Sequence, residues 1–198
     1  MKKYFPALQY INIPNLITTM GMAFGIAACY HMLNRDLQSA LVCIFFAMVM
    51  DLIDGFVAAK LDRQTQFGKH IDTLVDFFIC CIIPMLMTLI FIDGSAWFIG
   101  AVTFYCVCGL WRLANYNIVG SKDTRGFTGL PVPGAMTLVT LLLWAVIRYD
   151  LPSWFLAVMF VIAGALMLSL VRLVKYGFLQ KMLWVVGLGF ILFVVFFA

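Results

Sequence analysis

Seven apolar runs, at about 17–33, 37–60, 69–93, 96–118, 129–149, 152–172 and 178–198, take up nearly the whole chain. A helix needs about 20 apolar residues to cross a bilayer, and most of the runs reach that length. A soluble reading fails on composition. With 65% hydrophobic and 11% charged residues in 198, and a mean hydropathy of +1.06, the chain has too little polar surface to cover such a core in water. The expected fold is an all-α, polytopic transmembrane helical bundle of six to eight spans, with seven the best count. A single integral-membrane domain over 1–198 is expected, with no soluble domain or long linker.

Ahead of the first run, Tyr4, Phe5, Leu8 and Ile11 recur at near-helical spacing beside Lys2 and Lys3, which reads as an interfacial segment. Pro6 and Pro14 break this stretch and no small-residue cleavage site follows, so it is expected to be retained. Basic residues set the orientation. With the N-terminus in the cytoplasm, seven spans put Lys2, Lys3, Lys60, Arg63, Lys69, Arg112, Lys122, Arg125, Arg172, Lys175 and Lys181 on or near the inner side. Only Arg35 and Arg148 fall outside, a strong positive-inside bias. The net charge of +4 then reflects topology and anionic headgroups, and no nucleic-acid partner is expected.

Four aspartates interrupt the second and third runs. Asp51 and Asp54 lie three residues apart and Asp72 and Asp76 four apart, so each pair shares one helical face. An ionised carboxylate in a membrane helix costs several kcal/mol, on the order of +2.5 to +3.5 each on insertion scales. Four of them call for a compensating partner, and an all-oxygen set suits Mg²⁺ or Mn²⁺, with room for two ions to neutralise a diphosphate. The small residues Gly55, Ala58 and Gly68 on the same stretch would let a phosphorylated ligand approach the backbone. The cup opens at the 60–69 loop and so towards the cytoplasm. His70 stands beside it, within reach of a phosphate but more naturally solvated in the loop. Arg112, Asn117, Arg125 and Thr128 fall on the same membrane face and are candidates for binding a small polar acceptor or a phosphate. Six cysteines lie inside apolar runs without zinc spacing and read as small hydrophobes.

The pattern Asp51-x2-Asp54-Gly55-x2-Ala58-x9-Gly68-x3-Asp72-x3-Asp76 resembles the signature of the CDP-alcohol phosphotransferases, membrane enzymes that displace CMP from a CDP-linked alcohol with a second alcohol. Ile13-Pro14-Asn15-Leu16-Ile17-Thr18 is similar to the start of that family's first transmembrane helix. The blocks Arg112–Asn117, Phe127–Pro133 and Leu166–Ser169 resemble those of membrane-type phosphatidylserine synthases. Ala59 and Asn115 stand where the family usually has arginine, and Ile79-Cys80-Cys81-Ile82-Ile83-Pro84 departs from the serine-synthase pattern.

The resemblance implies a phospholipid-synthesising transferase of bacterial or archaeal cytoplasmic membranes, moving a phosphatidyl group from CDP-diacylglycerol, or its archaeal ether counterpart, to L-serine. It implies that Asp51, Asp54, Asp72 and Asp76 ligate two Mg²⁺ or Mn²⁺ ions, with Asp76 also the general base. Gly55, Ala58, Lys60 and Gly68 would face the nucleotide and diphosphate. Homodimers are common in the family and the same is implied here. Glycerol phosphate or inositol phosphate as acceptor is an alternative within this chemistry. From a different class, a divalent-cation transporter is the alternative, and it expects carboxylates along a path crossing the bilayer.

Overall fold

The computed structural model describes residues 6–61, 65–92, 95–119, 127–169 and 172–173. A five-residue 3₁₀ helix, Pro6–Tyr10, precedes α1 (Ile13–Leu33), α2 (Leu37–Lys60), α3 (Gln66–Phe77), a π turn (Phe78–Ile82), α4 (Ile83–Phe91), α5 (Ala96–Val119), α6 (Val132–Tyr149) and α7 (Trp154–Leu168). The α3–π–α4 rod runs unbroken over Gln66–Phe91 and counts as one span. Among the described residues, five helical segments are long and apolar enough to cross a membrane, and α7 is a shorter apolar helix. This is the polytopic helical bundle expected; the run at 178–198 lies outside the described residues.

Local chemistry sets the helix ends. Asn12 caps α1 by accepting from the Asn15 amide at 2.9 Å, and Pro14 sits in the first turn, where a missing N–H costs nothing. The helix therefore begins four residues before the expected 17. Asp36 caps α2 through the Ser39 amide at 3.0 Å, and hydrogen bonds from Ser39 hold its carboxyl below the usual carboxylate range. Thr65 caps α3 through Gly68 at 3.0 Å, which places His70 on an exposed helical turn and not in the loop. The expected sixth run, 152–172, ends as a helix at Leu168. Beyond it the chain extends at Ser169, and β2 (Arg172–Leu173) pairs antiparallel with β1 (Phe127–Thr128). Of the near-helical spacing at 4–11, Pro6–Tyr10 forms a short 3₁₀ helix ahead of the Asn12 cap, and Tyr4 and Phe5 lie outside the described residues.

In lipid, helix association depends on close packing more than on apolar transfer, so small residues mark the contacts. Gly21, Gly25, Ala28 and Met32 line the buried face of α1, and α1 with α2 is the most extensive helix pair. A Cβ at Gly25 would sit 3.0 Å from the Phe78 ring, and one at Gly21 3.4 Å from Met50. Consecutive spans alternate in direction. Asn15 beside Gly68, Lys69 bonded to Asn117, and Leu130 bonded to Leu166 bring the start of α1, the start of α3, the end of α5, the start of α6 and the end of α7 to one end of the bundle. At the other end Arg35 Nη1 donates to the Ile90 carbonyl at the foot of α4, and His31 pairs with Asp36 at 3.3 Å.

Candidate active site

Asp51 and Asp54 point from the C-terminal half of α2, Asp72 and Asp76 from α3. At 1.5 Å per residue, Asp51 lies about 14 Å from the Lys60 end of α2 and Asp76 about 15 Å from the start of α3. The cup thus reaches well inside the bundle. Asp51, Asp72 and Asp76 converge, each offering a carboxylate oxygen within 4.8 Å of the others. Asp54 is turned aside. It is 5% exposed, and its Oδ2 accepts a hydrogen bond from the Thr18 hydroxyl of α1.

Among the described residues no lysine or arginine forms an ion pair with these carboxylates; the ion pair present, His31–Asp36, is at the far end. Three converging carboxylates without a cationic side chain cannot all stay charged in a half-buried site unless a cation joins them. An all-oxygen donor set of this kind fits a hard divalent ion. The remaining described acidic residues, Asp36 and Asp150, lie at the opposite end of the bundle, so the carboxylates do not line a path across it.

The start of α1 buttresses the cup. Asn15 Nδ2 donates to the Tyr10 carbonyl at 2.8 Å, and the Tyr10 ring stacks on Phe67 with centroids 4.3 Å apart. A Cβ at Gly68 would lie 2.8 Å from Asn15 Oδ1 and 3.1 Å from Thr65 Oγ1, so the space at Gly68 is taken by these two side chains. At Gly55 a Cβ would meet nothing within 4 Å, leaving open room on α2 one residue past Asp54. Ala58 is half-buried, and Lys60 is exposed in the last turn of α2.

Beside Asp76 is a cavity of about 120 Å³ lined by Asp76, Arg112, Leu113, Tyr116, Pro131, Val132 and Pro133. Arg112 is only 7% exposed, its Nε has no hydrogen-bond partner among the described residues, and its guanidinium lies 5.9 Å from the Tyr116 ring centroid. A buried guanidinium with an unpaired N–H is a costly arrangement that an anionic ligand relieves. Asn117 faces a different task. Its Nδ2 donates to Thr73 Oγ1 at 2.8 Å and its carbonyl accepts from Lys69 Nζ at 2.8 Å, tying the end of α5 to α3 beside Asp72. Thr128 lies in β1 opposite Arg172, and Arg125 is outside the described residues. Sequence reasoning missed Thr18 as the partner of Asp54, and Tyr116 and the two prolines as cavity walls. A hydroxyl one turn after Pro14 in an apolar helix was the available signal for Thr18.

Comparison with known proteins places the chain in a family. Residues 11–171 match the family described as CDP-alcohol phosphatidyltransferase. A CDP-diacylglycerol–serine O-phosphatidyltransferase of Bacillus subtilis is 34% identical over 133 residues, 65% of this chain and 74% of the relative. A protein of the same name from Mycobacterium tuberculosis is 32% identical over 66% of this chain and 48% of its own length. An archaetidylserine synthase of Methanothermobacter thermautotrophicus is 27% identical over 67% of this chain and 58% of the relative. The chain thus spans from about half to three-quarters of the relatives it matches. With a family match running from the capped start of α1 through the aspartate helices to the residues past α7, the chain belongs to the CDP-alcohol phosphatidyltransferase family.

Proposed function

We propose that this enzyme transfers a phosphatidyl group from CDP-diacylglycerol, or its archaeal ether counterpart, to the hydroxyl of L-serine, releasing CMP. One observation carries the reading: Asp76, whose carboxylate converges with those of Asp51 and Asp72, also lines a cavity that it shares with the buried Arg112, whose Nε has no hydrogen-bond partner among the described residues. A site for diphosphate and a site for a small acceptor that carries a carboxylate then share Asp76. The names of the relatives support serine as that acceptor.

Asp51, Asp54, Asp72 and Asp76 would hold two Mg²⁺ or Mn²⁺ ions, Asp54 from the orientation that Thr18 gives it. Bound there, divalent cations supply positive charge against the diphosphate and the departing CMP. The open space at Gly55, with Ala58 and Lys60 on the same turns, would admit the nucleotide, whereas Gly68 serves the contact with Asn15. Arg112 would pair with the serine carboxylate and so direct the side-chain hydroxyl to Asp76. Asp76 would accept the hydroxyl proton as the serine oxygen bonds to the lipid-linked phosphorus, and the bond from that phosphorus to the CMP oxygen breaks. The charge asymmetry of the loops supports a cytoplasm-facing site, and family habit supports a homodimer.

The test is CMP release by purified enzyme in Mn²⁺ or Mg²⁺ with CDP-diacylglycerol and a panel of labelled alcohols. Serine-dependent release abolished by chelation is expected. Turnover with glycerol phosphate but not serine would replace the acceptor, and metal-independent turnover would remove the carboxylate account.

A further inference from the structure

The rod that carries Asp72 and Asp76 changes its winding one residue after Phe77. Across the π turn the Ile83 amide bonds to the Phe78 carbonyl, five residues back, and α4 resumes at Ile83 with Pro84 behind it. Pro84 has no N–H to give Cys80, its partner four residues back, and its ring would crowd that carbonyl in a regular α-helix. A wider turn relieves the crowding but leaves carbonyls short of donors, at a depth where no water replaces them. Two side chains of α5 meet that need. The Tyr105 hydroxyl donates to the Cys80 carbonyl at 2.9 Å, and the Cys106 thiol lies 3.5 Å from the Cys81 carbonyl. Tyr105 is fully buried and braced edge-on by Phe160 at 5.1 Å.

The same face of α5 reaches the cavity. Gly109 sits where any Cβ would strike Cys81 Sγ, so α5 lies flush on the π turn, and Arg112 follows Tyr105 by two helical turns. Cys80 is itself one turn beyond Asp76. We infer that Tyr105 is a positioning residue for Asp76. Its hydroxyl gives Cys80 the hydrogen bond that Pro84 withholds, fixing the π turn and with it the meeting of the Asp72–Asp76 face with Arg112. The role of Asp76 and Arg112 in this statement rests on the function proposed above.

The experiment is a cycle of Tyr105→Phe, Pro84→Ala and the double variant, read by Mn²⁺ titration with electron paramagnetic resonance and by KM for serine and for CDP-diacylglycerol. Tyr105→Phe keeps the ring and removes only the donor. It should weaken Mn²⁺ binding and raise the serine KM by about tenfold each, the upper range for one neutral hydrogen bond, with the CDP-diacylglycerol KM little changed. Pro84→Ala restores an N–H and should rescue both quantities in the double variant, which simple loss of packing at Tyr105 would not allow. Wild-type Mn²⁺ affinity in Tyr105→Phe, or an equal loss with and without Pro84, overturns the inference. If Tyr105→Phe does not fold, folding and Mn²⁺ binding regained in the double variant support it, and continued failure there overturns it. Should the wild-type enzyme ignore serine, the functional reading falls while the Mn²⁺ cycle still decides the role of Tyr105.

Discussion

Thr18 on α1 and Asp54 on α2 are joined by a hydrogen bond, hydroxyl to Oδ2, between two buried side chains. That bond separates Asp54 from the three carboxylates that converge, and it makes α1 part of the site. Thr18→Val leaves the shape and removes the donor. It should destabilise the protein by about 1–3 kcal/mol, the cost of stranding a buried acceptor, and lower apparent Mn²⁺ affinity, whereas Thr18→Ser should retain both. Thermal unfolding in detergent with and without Mn²⁺ checks this, and a Thr18→Val protein with unchanged metal affinity would separate Asp54 from the metal site.

Asp76 borders both the carboxylate cluster and the Arg112 cavity, while Asp51 and Asp54 do not line that cavity. Asp76→Asn should therefore keep CDP-lipid binding largely intact and lower single-turnover rate by about 10²–10⁴, the usual contribution of general acid–base catalysis. Asp51→Asn and Asp54→Asn should weaken metal and nucleotide binding as well. Equal loss of binding and rate in all three would make Asp76 a ligand only. Near-normal turnover in Asp76→Asn would rule it out as the base.

The spacing of Asp51 with Asp54 and of Asp72 with Asp76 was legible because helical periodicity puts each pair on one face, and apolar runs located the helices that carry them. The split of three carboxylates from the fourth was not, since it depends on a hydroxyl 36 residues away from Asp54. Periodicity also missed the π turn, because Ile79, Cys80, Cys81 and Ile82 are apolar on every side. Pro84 inside an apolar run was the one local sign of irregular winding there. Helix starts were misplaced where caps decide them, as at Asn12 and Thr65. Gly68 was legible as a close approach, but the group that approaches is Asn15.

Lys60 and Lys69 lie at the site end of the bundle, with Arg35 and Arg148 at the other. Single cysteines placed in the 62–66 connection and in the 34–36 connection of an otherwise cysteine-free enzyme should therefore label from opposite sides of sealed vesicles, the first from the cytoplasmic side. Labelling of both from one side would mean that α2 does not cross the membrane, and exchange of the two sides would invert the orientation.

Arg112 gives the acceptor prediction its sharpest form. Its buried Nε lacks a partner among the described residues, and an anion entering the cavity would offset part of the cost of desolvating the guanidinium. Arg112→Gln keeps a polar, though shorter, side chain and removes the charge. It should raise the KM for serine on the order of 10²-fold, as expected for losing one partner of a buried charged pair, and leave the KM for CDP-diacylglycerol within about twofold. It should also blunt the preference for serine over ethanolamine, which offers the same hydroxyl and amine without a carboxylate, because the discrimination then lacks its charged partner. Arg112→Lys should recover part of the serine affinity, since a point charge replaces the planar fork. Competition between serine and ethanolamine at fixed CDP-diacylglycerol measures all three effects. A wild-type serine preference in Arg112→Gln would move the carboxylate of the acceptor away from this cavity.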